Sequence, residues 1–246
     1  MNPPLLIDLG NTRIKWRLGE NAAAGSASTV EEWISQCADL PRPAAILICA
    51  VGAPERYQAL VQCCLQHWAL QPQRLQVSRS ALGVHNHYQD LSQQGTDRWA
   101  AVLGARTRFP AQNLQIVSAG TALVVDTLTR DGQYLGGSIG PGLGLMKQAL
   151  FHGTAQLPLA HGQLVAFARN TLDAIETGCL RAIKGMLTES ILNMASSNIP
   201  IDQTIIFGGD AERIVSQLNL AAQTVDNLVL DGLYALYLAA DGAFTQ

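Results

Sequence analysis

Two stretches of this chain, one in each half, follow the same plan, and a repeat of that kind constrains the fold more than any single motif. In the first, Leu5-Leu6-Ile7 is a continuous apolar run like that of a buried strand, while Ile14, Trp16 and Leu18 alternate with Arg13, Lys15 and Arg17 as in a half-exposed one. Between them lies Asp8-Leu9-Gly10-Asn11-Thr12, a tight turn in which Gly10 and Asn11 both tolerate positive φ. In the second, Gln115 to Asp126 is again strand, turn, strand, with Ser118-Ala119-Gly120-Thr121 at the bend. A third strand is expected there from Tyr134 to Ile139, after the turn Arg130-Asp131-Gly132. Glycine at a hairpin tip leaves backbone N–H groups uncovered, so an anion can come close. Two such tips predict a nucleotide gripped by two similar α/β domains, residues 1–112 and 113–246. Asp8 would repel a bare phosphate, which gives it the task of holding a hydrated Mg²⁺ shared with the phosphates. The competing reading is an Asp that only caps its own turn.

Composition narrows the class. With 48% apolar and 14% charged residues in 246, the chain reads as a well-packed globular protein. A net charge of −3 argues against partners such as nucleic acid or an anionic membrane surface. Cys37, Cys49, Cys63, Cys64 and Cys179 are odd in number and lack C-x-x-C spacing, so they form neither a disulfide framework nor a zinc site and suit a reducing cytoplasm. Met1-Asn2-Pro3-Pro4 has no basic region before the apolar run, and no run reaches transmembrane length, so a cytoplasmic location is expected.

Between the two repeats the chain alternates strand and helix, which predicts a mixed sheet. A strand is expected over 22–28, a helix capped by Thr29 to about Asp39, a buried parallel strand over 45–51, a helix over 55–70 and a short strand over 73–77. Leu82 to Gln94 reads as irregular. Gly95-Thr96-Asp97-Arg98-Trp99 follows, with Thr96 a natural N-cap and Asp97 in the first helical turn. The helix N-terminus favours an ionised Asp97, the state that a proton acceptor needs; the plainer reading pairs Asp97 with the dipole and with Arg98. Gly136 to Gly144 is the most glycine-dense stretch and leads into a helix over 143–151, an anion site but not a P-loop. Asn170 caps a long helix whose expected buried stripe is Leu172, Ile175, Cys179, Ala182, Ile183, Met186 and Leu187, with Gly178 and Gly185 set for close packing against a neighbour. The strand Thr204 to Phe207 ends in Gly208-Gly209, which suits a flat ligand. The last helix, Leu228 to Ala240, is apolar nearly all round and should be buried or at an interface.

Taken together, Asp8-x-Gly-Asn-Thr-x-x-Lys15, Gly95-x-Asp-Arg98, Gly120-Thr-Ala122 with Asp126, and Gly136-Gly-x-Ile-x-Pro-Gly142 resemble, in order and spacing, the type III pantothenate kinases, the family that includes the Bvg accessory factor proteins. The resemblance spans nearly the whole chain. It implies the fold of the acetate and sugar kinase, heat-shock ATPase and actin superfamily, with two RNase H-like domains, and a homodimer. It also implies ATP-dependent phosphorylation of pantothenate, the first step towards coenzyme A. By the same resemblance Asp8, Leu9, Gly10, Asn11, Thr12, Arg13, Ile14 and Lys15 form the first phosphate loop, with Asp8 near Mg²⁺, and Thr121 contacts ATP. Tyr88, Gly95, Thr96, Asp97, Arg98 and Thr171 bind pantothenate, with Asp97 the general base and Arg98 on the carboxylate, for which a planar fork is suited.

This chain departs from the family at Ser118, where an aspartate usually binds potassium or ammonium. Serine offers a neutral oxygen in place of a charge, so either the ion is bound weakly or the protein works without it. Val124 also replaces a hydroxyl residue, and Phe207 a smaller one. Two other functions stay open: a different kinase or phosphatase of the same superfamily, which activity on sugars and not on pantothenate would favour, and a regulatory ATP-binding protein with little catalysis. Asp8, Asp97 and Arg98 argue against the second, since a binding module needs no base.

Overall fold

The computed structural model describes residues 2–20, 22–159 and 161–239; the expected helix end at Ala240 and the outermost residues of both expected domains lie outside them. Contacts divide the chain into two compact units. The first runs to Pro110 and takes back Gly132–Tyr134 and the segment from Asn227; the second comprises Ala111–Asp131 and Leu135–Asp226.

In the first unit, β1 (Leu5–Leu9), β2 (Ile14–Leu18) and β3 (Ala23–Ala27) form an antiparallel meander, and β4 (Ile46–Ala50) and β5 (Gln73–Arg74) add in parallel, giving the order β3-β2-β1-β4-β5. Helix α1 (Val30–Cys37) starts as the sequence predicts: Thr29 Oγ1 accepts the Glu32 N–H at 3.2 Å, and the Glu32 carboxylate accepts the Ser28 N–H at 2.7 Å. Helix α2 (Pro54–Trp68) begins on proline, whose missing N–H has no intrahelical partner to lose. Both helices cover one sheet face, where Leu5, Ile7, Leu9, Trp33, Leu60 and Trp68 form a core. The stretch expected to be irregular contains a small hairpin, β6 (Ser80–Ala81) and β7 (Val84–Asn86). It turns at Leu82-Gly83, both left-handed at φ 49° and 72°. Helix α3 (Thr96–Arg108) follows.

The second unit repeats the topology. Its strands β8 (Leu114–Ala119), β9 (Ala122–Leu128) and β10 (Gln133–Pro141) correspond to the meander, and β11 (Gln203–Phe207) and β12 (Gln223–Thr224) to the parallel additions, in the order β10-β9-β8-β11-β12. The first residues of β10, Gln133 and Tyr134, belong to the first unit and pair there with His85 and Asn86. Helices α4 (Leu143–Gly153), α5 (Thr171–Ser196) and α6 (Ala211–Leu218) complete the unit. Ile175, Cys179, Ile183 and Leu187 of α5 pack into its core, but Leu172, at 42% exposure, and Ala182 do not, so the buried stripe is narrower than expected. Apart from the helix's own backbone, no described residue comes within 4 Å of a Cβ built on Gly178 or Gly185.

The last helix, α7 (Leu228–Ala239), corrects the expected domain division, because it packs on α3 of the first unit. Two glycines make the contact possible. A Cβ on Gly232 would stand 2.0 Å from Ala100 O, and one on Gly104 2.2 Å from Leu228 O. Asp231 adds ion pairs to Arg17 at 2.7 Å and Arg108 at 3.2 Å. No helix among the described residues is long and apolar enough to cross a membrane.

Candidate active site

Side chains alternate along β1, so Leu5, Ile7 and Leu9 enter the core while Asp8 faces the other way. Asp8 stands opposite Lys15 in the hairpin register and is half-buried. Loss of solvation pushes its pKa up to about 7; Lys15 opposes the rise, and the Asp97 carboxylate adds to it. The hairpin closes through Gly10 N–H to Arg13 O at 3.0 Å, and neither Gly10 nor Asn11 adopts positive φ. A four-residue loop therefore replaces the expected left-handed turn. The left-handed glycine is instead Gly52, at φ 109°, where a Cβ would stand 2.5 Å from Asn11 Oδ1. From α2, Arg56 donates to Gly10 O at 2.8 Å, Asn11 O at 2.6 Å and Ser28 O at 3.2 Å, and so fixes the tip by its carbonyls. Nothing in the motifs singles out Arg56. Its available signal is a cation in the first turn of a helix, against the dipole.

A second cluster forms where α3 begins. Its N-cap is Gly95, not Thr96, and no side chain caps it. The Thr96 hydroxyl is used elsewhere, donating to Ala50 O at 3.3 Å and meeting Cys49 Sγ at 3.4 Å, which anchors the helix to β4. Glycine at 95 has a steric reason: a Cβ would lie 2.4 Å from Asp97 Oδ1, which accepts the Arg98 N–H at 2.9 Å. Arg98 is buried, donates to Tyr88 Oη at 2.9 Å and lies 5.4 Å from the centre of that ring. Tyr134, absent from the expected site, is fully buried and stacks on Tyr88 at 6.5 Å. The structure thus brings Tyr88, Gly95, Asp97 and Arg98 together, with Asp8 in electrostatic range of Asp97.

No group of three His, Cys, Asp or Glu gathers as a metal cage among the described residues. Asp8 still fits Mg²⁺: it is a poorly solvated carboxylate near a second one, and this ion is commonly held by one or two carboxylates with water and substrate phosphates.

In the second unit, Gly120 N–H donates to Ala122 O at 3.1 Å, and Thr121 is exposed at the tip. Two glycine loops lie on this turn. A Cβ on Gly142 would come 2.1 Å from Gly120 O, and one on Gly208, at φ 109°, 2.4 Å from Ala119 O. The helices after these loops are tied by Glu176 of α5, fully buried, which binds Lys147 of α4 and, at 2.6 Å, Arg213 of α6. Ser118 is half-buried, in register with Val124 and Phe207. Thr171 is exposed at the first position of α5, whose cap Asn170 accepts the Asp173 N–H at 2.9 Å.

The family model described as type III pantothenate kinase matches residues 4–193. A protein of that name from Chromobacterium violaceum is 39% identical over 237 residues, covering 93% of this chain and 97% of its own. Among solved structures, a protein assigned to the Baf family of transcriptional activators from Campylobacter jejuni aligns with TM-score 0.63 and 18% identity over 97% of this chain and 99% of that one. One assigned as a 2-dehydro-3-deoxygalactonokinase from Sinorhizobium meliloti aligns with TM-score 0.60 and 14% identity over 98% and 99%. Both alignments run over nearly the whole of each chain, and this chain shares the fold of these structures. With the family matched along most of its length and a relative of the same name sharing more than a third of its residues, the chain belongs to the type III pantothenate kinase family.

Proposed function

We propose that the protein transfers the γ-phosphoryl group of ATP to the primary hydroxyl of pantothenate, the first step towards coenzyme A. The observation that carries this is the cluster in the first unit, where Asp97 sits beside the Arg98–Tyr88 pair and acts electrostatically on Asp8. A sugar kinase needs no buried guanidinium beside its base, whereas a carboxylate-bearing acceptor does.

In this reading Arg98 and Tyr88 hold the pantothenate carboxylate end, and Asp97 takes the proton of the attacking hydroxyl. Gly95 keeps the helix start low enough for that carboxylate to fold back, and Thr96 anchors the helix. Residues Asp8 to Lys15 and Thr121 hold ATP, the former on a tip that Arg56 makes rigid. When bound at Asp8, Mg²⁺ supplies neutralising charge, and with positioning this is most of what phosphoryl transfer requires.

A homodimer is part of this reading, supported by the small and apolar residues Gly178, Ala182, Gly185 and Leu192 that recur at helical spacing on α5, with Leu192 55% exposed. Exposed Ile139 and Leu145 extend the apolar surface of this unit, and Thr171 contributes to the pantothenate site. The free cysteines and modest net charge support a cytoplasmic location. At Ser118 a potassium or ammonium ion would meet a neutral oxygen, so its hold is weak.

Asp97→Asn tests the assignment. It should keep the fold and lose roughly 10²- to 10⁴-fold in kcat. Near-normal turnover with normal pantothenate affinity would remove Asp97 from the role of base.

A further inference from the structure

Glu176 stands where the pattern of α5 calls for an apolar side chain. It falls at helical spacing with Leu180, Ile183 and Leu187 on the buried stripe and is itself 0% exposed. A carboxylate there needs partners, and it has one from each neighbouring helix. Oε2 binds Lys147 of α4, which is also buried, and Oε1 binds Arg213 of α6 at 2.6 Å. Apolar side chains in place of such a buried ionic group are often neutral or stabilising, so stability alone is a poor reason for it. What the two ion pairs add is direction, because each oxygen holds a different helix at a set distance from α5.

Both of those helices begin at the glycine loops that back the β8–β9 turn. α4 starts after Gly142, whose N–H donates to Thr121 O at 2.9 Å. α6 starts after Gly208 and Gly209, where the Asp210 N–H donates to Ala119 O at 3.1 Å. Neither helix start has a side-chain cap, whereas Thr29 caps α1 and Asn170 caps α5. With no cap to fix them, the two starts take their place from the ion pairs close behind. All of these loops and side chains belong to the second unit.

We propose that Glu176 is a positioning residue for ATP: by holding α4 through Lys147 and α6 through Arg213, it seats both glycine loops against the turn that carries Thr121. This rests on the reading above that Thr121 contacts ATP. Glu176 is fully buried and touches no substrate. Its effect falls on the nucleotide and not on the acceptor, since Tyr88, Gly95, Thr96, Asp97 and Arg98 lie in the first unit, and Thr171 stands on α5, which its own apolar stripe holds. Charge alone predicts the opposite sign. Removing a carboxylate from the neighbourhood of a triphosphate tightens anion binding, whereas loosened loops weaken it.

The test is the affinity of the purified full chain for Mg²⁺-ATP, measured by calorimetry without pantothenate and well below the melting temperature. Glu176→Gln, which keeps the shape and removes the charge, should weaken binding about tenfold, the loss of one well-placed hydrogen bond to ATP. KM for pantothenate should stay within about twofold. A lower Tm with unchanged ATP affinity would make Glu176 purely structural, and tighter binding would make its charge the cause; either overturns the proposal. If Glu176→Gln does not fold, Arg213→Met takes its place, because the Arg213 side chain is 39% exposed and the Lys147–Glu176 pair stays balanced without it. Its loss should be about three- to tenfold and should persist at about 1 M salt, where a direct charge effect on ATP is screened. Unchanged affinity, or a loss that salt abolishes, overturns the proposal as well. A wild-type chain that binds no ATP overturns the proposed function itself, and this inference with it.

Discussion

Gly232→Ala should damage both stability and catalysis, although the residue lies in α7 and touches no substrate. The added Cβ would stand 2.0 Å from Ala100 O, 2.8 Å from Ala100 C and 3.1 Å from Gly104 N. All three are backbone atoms, so no rotamer relieves the clash. Ordinary contact begins at 3.4 Å, and α3 and α7 must part by the difference, more than about 1 Å. Overpacking of this kind costs about 1–3 kcal/mol, and backbone against backbone belongs at the upper end. In a protein of this size each kcal/mol lowers Tm by roughly 2–4 °C, so a fall of about 6–12 °C is expected. Ala100 lies one turn from Asp97, and a 1 Å displacement of a catalytic group can cost up to about 100-fold in rate. Thermal unfolding and pantothenate turnover, measured side by side, check both. Gly144→Ala is the control, since apart from the helix's own backbone no described residue lies within 4 Å of its added Cβ. If Gly232→Ala melted within about 2 °C of wild type and turned over normally, the reasoning about the α3–α7 crossing would be refuted.

Three further outcomes are expected. Asp8 has its pKa raised from 3.8 to about 7, so in the metal-free protein its contribution to stability is fully present below the unfolded value and is lost as pH rises through about 7. The ceiling of that loss is roughly 4 kcal/mol; urea titrations of metal-free Asp8→Asn should show the slope removed, and an unchanged slope would disprove the shift. Arg56→Ala frees two carbonyls at the hairpin tip and that of Ser28, and KM for ATP should rise about tenfold with pantothenate KM unmoved; equal effects on both substrates would contradict a local role. Glu176→Ala leaves Lys147 buried without its partner and should cost about 3–5 kcal/mol by denaturant unfolding, against less than about 1 kcal/mol if the pair were solvated.

The two hairpins were legible because alternation and a central glycine are local signals, and the order of strands and helices in each unit followed from them. Details set by tertiary contact were not. Leu82 at φ 49° carries no turn signature, so the β6–β7 hairpin read as irregular chain. Thr96 and Gly95 are both capping types, and the choice fell to Gly95 because the Thr96 hydroxyl is engaged by Ala50 O. An apolar helix such as α7 announces burial but not its host, and the close approach of Gly104 and Gly232 decides that. Asp97 and Arg98 were legible as part of a spaced motif and Tyr88 only through the family resemblance, and the three do come together, whereas Arg56 and Tyr134 act through contacts that no short motif encodes.

The most direct test of the account is product formation from pantothenate, ATP and Mg²⁺, run with sodium, potassium or ammonium as the only monovalent cation. Phosphorylated pantothenate is the expected product, and the comparison of salts reports what Ser118 has done to the ion site. Turnover in sodium would mean that the protein works without the ion, and turnover only with potassium or ammonium that other oxygens hold it. No product in any of the three salts, with ATP still bound, would contradict the assignment of this chain as a pantothenate kinase.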